Sequence, residues 1–321
     1  MDSIDKIAVL TSGGDAPGMN SAIRAVVRKG IFHHLRVYGV FHGYEGLIKG
    51  NIQEMDLGSV ADIVHRGGTI LKTARSEEMM TEEGQKKAAF QLQSKGIEAL
   101  AVIGGDGSYR GAHKLAELGI KVVGIPGTID NDIVGTDCTI GFDTAINTVV
   151  EAVSKLRDTA TSHERTFLVE VMGRNCGDIA LKSGLAIGAE SILIPEIPFD
   201  LKEISGKLLR GYQRGKNHSI IIVAEGAGDI WEIASKLKEY SGMDNRVTIL
   251  GHIQRGGAPS ASDSVLGATM GGKAVEAIME GKSDVMISFI NNETVYRPLQ
   301  IAFASKPFQR NLYDLANELA I

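Results

Sequence analysis

The sequence is short of cysteine, of positive charge and of long hydrophobic runs, and each shortage excludes a class of protein. Its 2 cysteines, Cys138 and Cys176, have neither the spacing of a metal site nor the number of a disulfide framework. We therefore expect a reducing, cytoplasmic location. No segment approaches the ~20 apolar residues of a membrane span, and the charged start of the chain is unlike a signal peptide. No membrane partner is expected.

Acidic residues outnumber basic ones, since 39 Asp and Glu against 34 Lys and Arg give a net charge of -5. This balance argues against nucleic acid as the main partner. Low-complexity segments, flexible linkers and exact internal repeats are also missing from the sequence. With 321 residues and 43% hydrophobic content, the chain can form one large or two medium globular domains. The 7 prolines are too few to locate a domain boundary.

Glycine, by contrast, is abundant, with 39 residues against an average of roughly 7% in proteins. Many of these glycines follow short apolar runs rich in Val and Ile. Such runs predict strands that are buried on both faces, as in parallel sheets. The runs are residues 7–10, 100–103, 122–125, 167–171, 219–223 and 247–250.

Helical patterns lie between these predicted strands. Residues 21–31 and 144–157 each repeat apolar side chains on one helical face. Alternating strands and helices predict an α/β sandwich with right-handed crossovers. In such sheets ligands bind beyond the carboxyl ends of the strands, where the glycine-rich segments lie. A domain seam is expected near residues 141–142, because a long helix begins there.

Two carboxylates, Asp130 and Asp132, follow the apolar run 122–125. A carboxylate pair at the end of a buried strand can hold Mg²⁺ and accept a proton from a hydroxyl. An acidic surface turn is the alternative, because Asp, Asn and Gly are ordinary turn residues. The glycine-rich turns at 13–14 and 104–108 each lead from a strand into a helix, where backbone N–H groups can bind a phosphate or simply form a tight turn.

Several motifs together resemble the bacterial ATP-dependent 6-phosphofructokinases. They are TSGGDAPGMN at 11–20, GGDGS at 104–108, PGTIDND at 126–132, MGRNCGD at 172–178 and GHIQRGG at 251–257. The resemblance runs from about residue 7 to residue 266 and thins beyond that. It implies two Rossmann-like three-layer sandwich domains with largely parallel sheets and an active site at the cleft between them. The expected larger, ATP-binding domain comprises 1–141 plus about 259–305, and the smaller, fructose 6-phosphate-binding domain comprises 142–258 plus about 306–321.

The resemblance also implies a catalytic group. Asp130 resembles the general base that takes the proton of the C1 hydroxyl, and Asp106 and Asp132 resemble the pair that manages Mg²⁺. Thr128 is similar to a residue beside the transferred phosphoryl group. Arg75 and Arg174 are similar to two arginines that neutralise the charge of that group. The catalytic group consists of Asp130, Thr128, Asp132, Arg75 and Arg174.

Two binding sets follow from the same resemblance. The residues similar to the ATP set are Gly14, Tyr44, Arg75, Ser76, Gly104, Gly105, Asp106, Gly107 and Ser108. Those similar to the sugar-phosphate set are Thr128, Asp130, Asp132, Arg165, Met172, Gly173, Arg174, Glu225, Arg246, His252 and Arg255. Arg165 and Arg246 resemble arginines that reach the 6-phosphate from a neighbouring subunit, which implies a shared active site in a homotetramer.

Arg24 and Arg28 lie four residues apart on one polar helix face and would repel each other without an anion between them, unless the face is simply solvated. The resemblance implies an effector site for ADP, an activator, or phosphoenolpyruvate, an inhibitor. Its residues would be Arg24, Arg28, Asp62, Arg157, Glu190, Arg214, Lys216 and His218.

Gly107 and Gly127 bear on the phosphoryl donor. The pyrophosphate-dependent branch of the family carries Asp and Lys at the matching positions, so glycine at both predicts ATP. Two departures stand out: residues 76–80 lack the usual Pro-Glu-Phe and the basic residue after it, and Asn217 replaces a common lysine. The alternatives are a pyrophosphate-dependent enzyme and a catalytically weak regulatory homologue.

Overall fold

The computed structural model describes residues 4–320. By its internal contacts the chain divides into two compact units. The first comprises Met1–Asp143 and Arg255–Lys306, and the second Thr144–Gln254 and Pro307–Ile321. The boundaries lie two to four residues from those expected at 141 and 259. Residues 255–258, expected in the smaller domain, belong to the first unit. Residues 1–3 and 321, which the expected domains included, lie outside the described residues.

All the strands expected from the sequence are confirmed, within one or two residues at each end. The remaining five strands within residues 4–320 were not predicted: β2 contains glycine and arginine, and β3, β7 and β11 lie at sheet edges, whereas β10 is an apolar inner strand that the sequence analysis missed. The strands are β1 Lys6–Thr11, β2 Arg36–Val40, β3 Ile52–Met55, β4 Ala99–Gly104, β5 Lys121–Pro126, β6 Thr166–Val171, β7 Ser191–Leu193, β8 Ser219–Ala224, β9 Asn245–Ile249, β10 Val285–Ile290 and β11 Glu293–Pro298.

The helices follow the expected alternation with the strands. The two helices predicted from the sequence are confirmed and extend beyond the predicted bounds. The helices are α1 Met19–Phe32, α2 Gly43–Ile48, α3 Glu82–Ser94, α4 Asp106–Glu117, α5 Phe142–His163, α6 Asp178–Ile187, α7 Leu201–Gln213, α8 Ile230–Ser241, α9 Ala261–Met279 and α10 Arg310–Leu319. None of these helices has the length and apolar content needed to cross a lipid bilayer.

The first unit contains a sheet of seven strands in the order β11-β10-β5-β4-β1-β2-β3. The strands from β10 to β2 pair in parallel, and the edge strands β3 and β11 pair antiparallel with their neighbours. β4, at the centre, is fully buried along its length. The carboxyl ends of β1, β4 and β5 therefore meet at one edge of the sheet.

Helices cover both faces of this sheet. Ala8 and Leu10 of β1 belong to a buried cluster with apolar side chains of α2, α3 and α4. On the other face α1 packs against α9 closely enough that a Cβ at Gly271 would lie 2.5 Å from the carbonyl oxygen of Ala22. The unit is thus the expected three-layer sandwich.

Strands β10 and β11 form an antiparallel hairpin beyond residue 266, where the family resemblance thins. Asn291 and Asn292 occupy its turn, with φ of 50° and 69°. A two-residue turn of this kind requires positive φ at both central positions, and asparagine is one of the residues that tolerates it. This pair therefore makes the turn without glycine.

The second unit contains a parallel sheet of four strands in the order β7-β8-β6-β9. Leu168 and Ile221 of its strands form a buried cluster with the apolar faces of α7 and α8. On its other side α6 packs so closely that a Cβ at Gly184 would lie 2.6 Å from Ile192. The carboxyl ends of β8, β6 and β9 lie side by side.

Candidate active site

A cavity of about 650 Å³ opens at the carboxyl ends of β1, β4 and β5 in the first unit. It brings together most of the residues expected in the catalytic and ATP-binding sets. Of the expected residues, the cavity is lined by Gly14, Tyr44, Arg75, Ser76, Gly105, Asp106, Gly107, Ser108, Thr128, Asp130, Asp132 and Arg255. Gly104 does not line it. A Cβ there would lie 2.5 Å from both the Ser108 hydroxyl and the Ser12 carbonyl oxygen, so this glycine permits close packing beneath the cavity.

The acidic segment after β5 is held in a fixed shape. Asn131 is fully buried and adopts a φ of 53°, and its neighbours Asp130 and Asp132 are half-buried and both face the cavity. The backbone N–H of Asp130 donates to the Thr128 hydroxyl over 3.2 Å, and the Thr139 hydroxyl donates to the Thr128 carbonyl over 2.7 Å. Both carboxylates are therefore positioned by backbone geometry, which contradicts an exposed surface turn.

The N-terminus of α4 points its first turn at the same cavity. Gly105 precedes the helix in an extended conformation, and Asp106, Gly107 and Ser108 form the first turn. The N–H groups of a first turn have no carbonyl partner within the helix, and the helix dipole adds partial positive charge. This end of α4 is suited to bind phosphate oxygens.

The two glycines that bear on the phosphoryl donor differ in their surroundings. A Cβ at Gly107 would meet no atom within 4 Å, so any side chain there would project into the cavity. A Cβ at Gly127 would lie 2.9 Å from Ile103 and 3.1 Å from Met19, both core side chains. A lysine at 127 would have to displace the core before it reached the cavity. The space argument for ATP therefore rests mainly on Gly107.

Tyr44 forms the buried wall of the cavity. Burial raises the pKa of its hydroxyl far above the ordinary value, so the group stays protonated. It donates a hydrogen bond to the Ser108 carbonyl oxygen over 2.6 Å. Gly111, one helical turn further, leaves room for the ring, because a Cβ there would lie 2.9 Å from it. Tyr44 thus fixes the position of α4 beside the cavity.

Two arginines bring positive charge to the site. Arg75 is exposed and lines the cavity. Arg255 lies over the turn after β1, where a Cβ at Gly14 would meet its guanidinium at 2.5 Å. Its Nη1 donates to the Asp15 carbonyl oxygen over 3.1 Å. Arg255, expected among the sugar-phosphate residues of the smaller domain, therefore shares a cavity with Asp130 in the first unit.

Sequence reasoning missed two cations in this cavity, Arg110 and Lys114. They follow Asp106 at intervals of four residues on α4, and Arg110 lies 3.8 Å from the Asp106 carboxylate. That i, i+4, i+8 spacing places all three residues on one helical face. The spacing could have identified Arg110 and Lys114 from the sequence.

The segment 76–80, which departs from the family pattern, forms part of the rim. The Ser76 hydroxyl donates a hydrogen bond to Glu45 over 2.9 Å. Hydrogen bonds from Lys49 and then from Ser76 lower the pKa of the Glu45 carboxyl. Met80 ends this segment, and its side chain is 84% exposed. The rim therefore presents an exposed apolar side chain at this point.

The carboxylates of Asp106 and Asp132 fit magnesium. Mg²⁺ binds one or two carboxylates together with substrate phosphates and water, and it prefers oxygen ligands. Both side chains line the cavity, and Asp106 belongs to the first turn of α4. Among residues 4–320, no group of three or more His, Cys, Asp and Glu side chains could hold a metal ion by itself. We therefore expect substrate phosphate oxygens to complete the coordination of an ion bound by these two carboxylates.

In the second unit, part of the expected sugar-phosphate set follows the carboxyl ends of adjacent parallel strands. Met172, Gly173 and Arg174 follow β6, Glu225 follows β8, and His252 follows β9. The Met172 N–H donates to Gln254 over 3.2 Å. A Cβ at Gly226 would lie 1.9 Å from the Arg174 carbonyl oxygen, so the loops after β6 and β8 touch.

Arg165 and Arg246 lie at the opposite end of the same sheet. Arg165 immediately precedes β6, and Arg246 is the second residue of β9, paired with Phe167. The six residues of β6 span roughly 20 Å. Arg165 is therefore separated from the loops at the carboxyl ends by the whole length of β6, and Arg246, the second residue of β9, lies roughly 10 Å before the end of its strand.

The expected effector residues divide between the units. Arg24 and Arg28 lie on α1, and Asp62 lies in a turn with a φ of 57°. In the second unit Glu190 is buried, accepts a hydrogen bond from the Ile220 N–H and forms an ion pair with Lys216. The other three, all in the second unit, are Arg157, Arg214 and His218.

Comparison with known proteins identifies the family of this chain. A family model described as phosphofructokinase matches residues 6–278. The chain is 57% identical over 317 residues to the ATP-dependent 6-phosphofructokinase of Bacillus velezensis, covering 98% of this chain and 99% of the relative. The enzyme of the same name from Bacillus subtilis is also 57% identical, over 98% of this chain and 99% of its own length.

Solved structures show the same fold. The phosphofructokinase of Saccharomyces cerevisiae matches with a TM-score of 0.84 at 38% identity, covering 98% of this chain and 48% of that one. This chain thus spans about half the length of the yeast protein. A pyrophosphate-dependent phosphofructokinase from Marinobacter aquaeolei has a TM-score of 0.84 at 22% identity, over 96% of this chain and 86% of that one, and indicates the fold alone.

Proposed function

The chain belongs to the phosphofructokinase family, and we propose that it transfers the γ-phosphoryl group of ATP to the C1 hydroxyl of fructose 6-phosphate. The observation that carries the proposal is the convergence of Asp130, Asp132 and Asp106 with the N-terminus of α4 on one cavity. Close relatives named ATP-dependent 6-phosphofructokinase support it.

In the proposed reaction, the C1 oxygen of the sugar forms a bond to the γ-phosphorus. The bond between that phosphorus and the β,γ-bridging oxygen breaks, and ADP leaves. The hydroxyl proton passes to the Asp130 carboxylate, which is half-buried and held by the backbone of its own turn. The products are fructose 1,6-bisphosphate and ADP. General base assistance of this kind contributes roughly 10²–10⁴ to the rate.

Phosphoryl transfer also requires that the negative charge on the transferred group be stabilised. We assign its stabilisation to Arg75, Arg174 and the Thr128 hydroxyl, together with the N–H groups of α4. Asp106 and Asp132 would hold Mg²⁺. When bound, that ion neutralises negative charge on the phosphates.

ATP is the proposed donor because Gly107 leaves its side of the cavity open. An aspartate there would bring a negative charge into the space that the α-phosphate needs. The ~57% identity to relatives named as ATP-dependent supports this choice.

We propose that two copies of the chain complete each acceptor site. Given the rise of parallel strands, Arg165 lies roughly 20 Å from the loop after β6, and Arg246 lies roughly 10 Å before the end of β9. They would bind the 6-phosphate of a sugar held by Met172, Gly173, Arg174, Glu225 and His252 of a neighbouring copy. This sharing requires at least a dimer, and we propose a cytoplasmic homotetramer.

The effector site for ADP or phosphoenolpyruvate is part of the same proposal. In the second unit Lys216 is already paired with Glu190, a buried carboxylate. Arg157 donates to the Ile187 carbonyl oxygen over 2.5 Å. An anionic effector would compete with these partners for the cations.

The test is the initial rate of fructose 1,6-bisphosphate formation by purified protein with Mg²⁺ and fructose 6-phosphate, comparing ATP with pyrophosphate. We expect turnover with ATP only. Turnover with pyrophosphate would overturn the donor assignment. A folded protein that binds ATP but turns over neither donor would be a regulatory homologue instead.

A further inference from the structure

A second cavity, of about 540 Å³, lies wholly within the second unit. Its walls are α7, α10, β7 and the loop that joins β7 to α7. Of the residues assigned above to catalysis, substrate or effector, only Arg214 lines it. The cavity is therefore separate from the proposed active site and shares one residue, Arg214, with the expected effector set.

Three cationic side chains of α7 and its C-terminal cap line this cavity: Lys207, Arg210 and Arg214. At 100° per residue they lie within about 60° of one another on the helix, and they span ~10 Å along it. None of the three is part of any salt bridge or side-chain hydrogen bond formed by residues 4–320. Like charges at this spacing repel, so an anion between them would be stabilising.

The helix dipole explains only part of this cluster. Cations are favoured at a helix C-terminus, and that accounts for Arg210 in the last turn and Arg214 at the cap. Lys207 lies a turn earlier and is half-buried. Burial lowers its pKa, while the charges of Glu190 and Glu203 act in the opposite direction. Glu190 is itself paired with Lys216, and Glu203, four residues before Lys207 on α7, forms no salt bridge with it among the described residues.

The opposite end of the cavity is acidic. Asp200 and Glu203 lie at the start of α7 and line the cavity with the same helix that carries the cations. Asp200 also caps α7 by accepting from the Lys202 N–H over 2.8 Å. Carboxylates accept hydrogen bonds from hydroxyl groups, and Tyr313 and Asn317 of α10 add polar groups to this wall.

We propose that this cavity binds a phosphorylated sugar. The phosphate lies among Lys207, Arg210 and Arg214, because arginine pairs with phosphate through two parallel hydrogen bonds and lysine adds a point charge. The sugar hydroxyls donate to Asp200 and Glu203 at the other end. A volume of about 540 Å³ falls within the ordinary range of roughly 300–1,000 Å³ for small-molecule sites.

The experiment is acylation of lysines in the intact protein, followed residue by residue with peptide mass spectrometry, using ribose 5-phosphate as the probe. At about four times its Kd the ligand leaves ~20% of the protein unbound, so we expect Lys207 to react about fivefold more slowly. Lys202 lies on the same helix but not in the cavity, and its rate should not change.

Two further arms make the result specific. Free ribose and chloride of equal ionic strength should give no protection of Lys207. Arg210→Ala should abolish protection and Arg210→Lys should restore part of it, while Lys202→Ala should behave as wild type. Unchanged labelling of Lys207 by ribose 5-phosphate, equal protection by free ribose, or full protection in Arg210→Ala would each overturn the proposal.

Discussion

The two units of the chain present their functional residues in opposite ways. In the first unit the side chains expected to act on ATP converge on one cavity at the carboxyl ends of β1, β4 and β5. In the second unit the side chains expected to act on the sugar divide between the two ends of one sheet. His252 follows the carboxyl end of β9, whereas Arg246 lies near its amino end.

This difference indicates which part of the reaction a single chain can perform. The first unit holds the carboxylates, the α4 N-terminus and Arg75 together without help. In the second unit both arginines lie away from the loops at the carboxyl ends, Arg165 by the ~20 Å of the six-residue β6 and Arg246 by roughly 10 Å of β9. Donor binding should therefore tolerate dissociation into single chains, and acceptor binding should not.

The largest expected effect is on kcat, through a residue of the first-unit cavity that a single chain forms by itself. Asp130→Asn keeps the shape of the side chain but removes the proton acceptor. We expect kcat to fall by about 10²–10⁴, while the Kd for ATP stays within about twofold. Steady-state rates and equilibrium ATP binding measure the two quantities. Asp158→Asn, an exposed carboxylate on α5, is the control, and near-native turnover by Asp130→Asn would contradict the assignment of the base.

The next effect is on the side that needs a second copy. Arg246→Ala should raise the KM for fructose 6-phosphate by roughly ten- to 150-fold, the value of a lost hydrogen bond to a charged group. The KM for ATP should not change. Lys238→Ala is the matched control, because Lys238 pairs with the same Asp244 that Arg246 contacts at 3.3 Å. Equal increases in both variants would mean that the effect is structural.

A smaller effect is expected on the KM for ATP, through Gly107 in the first-unit cavity. Gly107→Asp should raise the KM for ATP roughly tenfold or more, because a new carboxylate repels the phosphates across a few ångströms. Gly107→Ala should stay close to wild type, since its Cβ would meet no atom within 4 Å. The comparison separates charge from loss of flexibility. A large defect in the alanine variant would show that the backbone at 107 must move.

The smallest effect concerns stability in the second unit. Partial burial raises the pKa of Glu170, and the charges of Glu225 and Asp229 raise it further. A raised pKa means that the folded state binds the proton more tightly, so stability is lost as pH rises from the ordinary value of about 4.3 through the folded pKa.

Glu170→Gln should therefore raise Tm by about 1–3 °C at pH 8 and by little at pH 4. Thermal unfolding at both pH values measures this, with Glu239→Gln on the exposed face of α8 as the control. A gain that is equal at the two pH values would contradict the linkage argument.

Much of this arrangement could be predicted from local sequence. Short Val- and Ile-rich runs followed by glycine identified the central strands, because burial on both faces demands such runs. The position of Asp130 and Asp132 at the end of β5 followed from the same rule. Residues 285–298 were not predicted as a hairpin, because its turn uses Asn291 and Asn292 instead of glycine.

Features that depend on packing could not be predicted. The sequence cannot show that Gly127 faces Ile103 and Met19, whereas Gly107 faces open space. The sharing of the acceptor site is implied by family resemblance and stays a prediction, with which the position of Arg165 and Arg246 toward the amino end of the sheet agrees. Distance along the chain does not reveal which sheet end a residue occupies.

The most direct test of the shared acceptor site is complementation between two impaired variants, assayed at a fructose 6-phosphate concentration far below the raised KM of Arg246→Ala, where each variant alone has little activity. Asp130→Asn and Arg246→Ala chains with different affinity tags are coexpressed, and the mixed oligomer is purified through both tags. If each site takes Asp130 from one copy and Arg246 from another, about one quarter of the sites in a random mixture are intact and that share of activity returns. If both residues serve the site of their own chain, the mixed oligomer has no more activity than the separate variants, and the shared site is wrong.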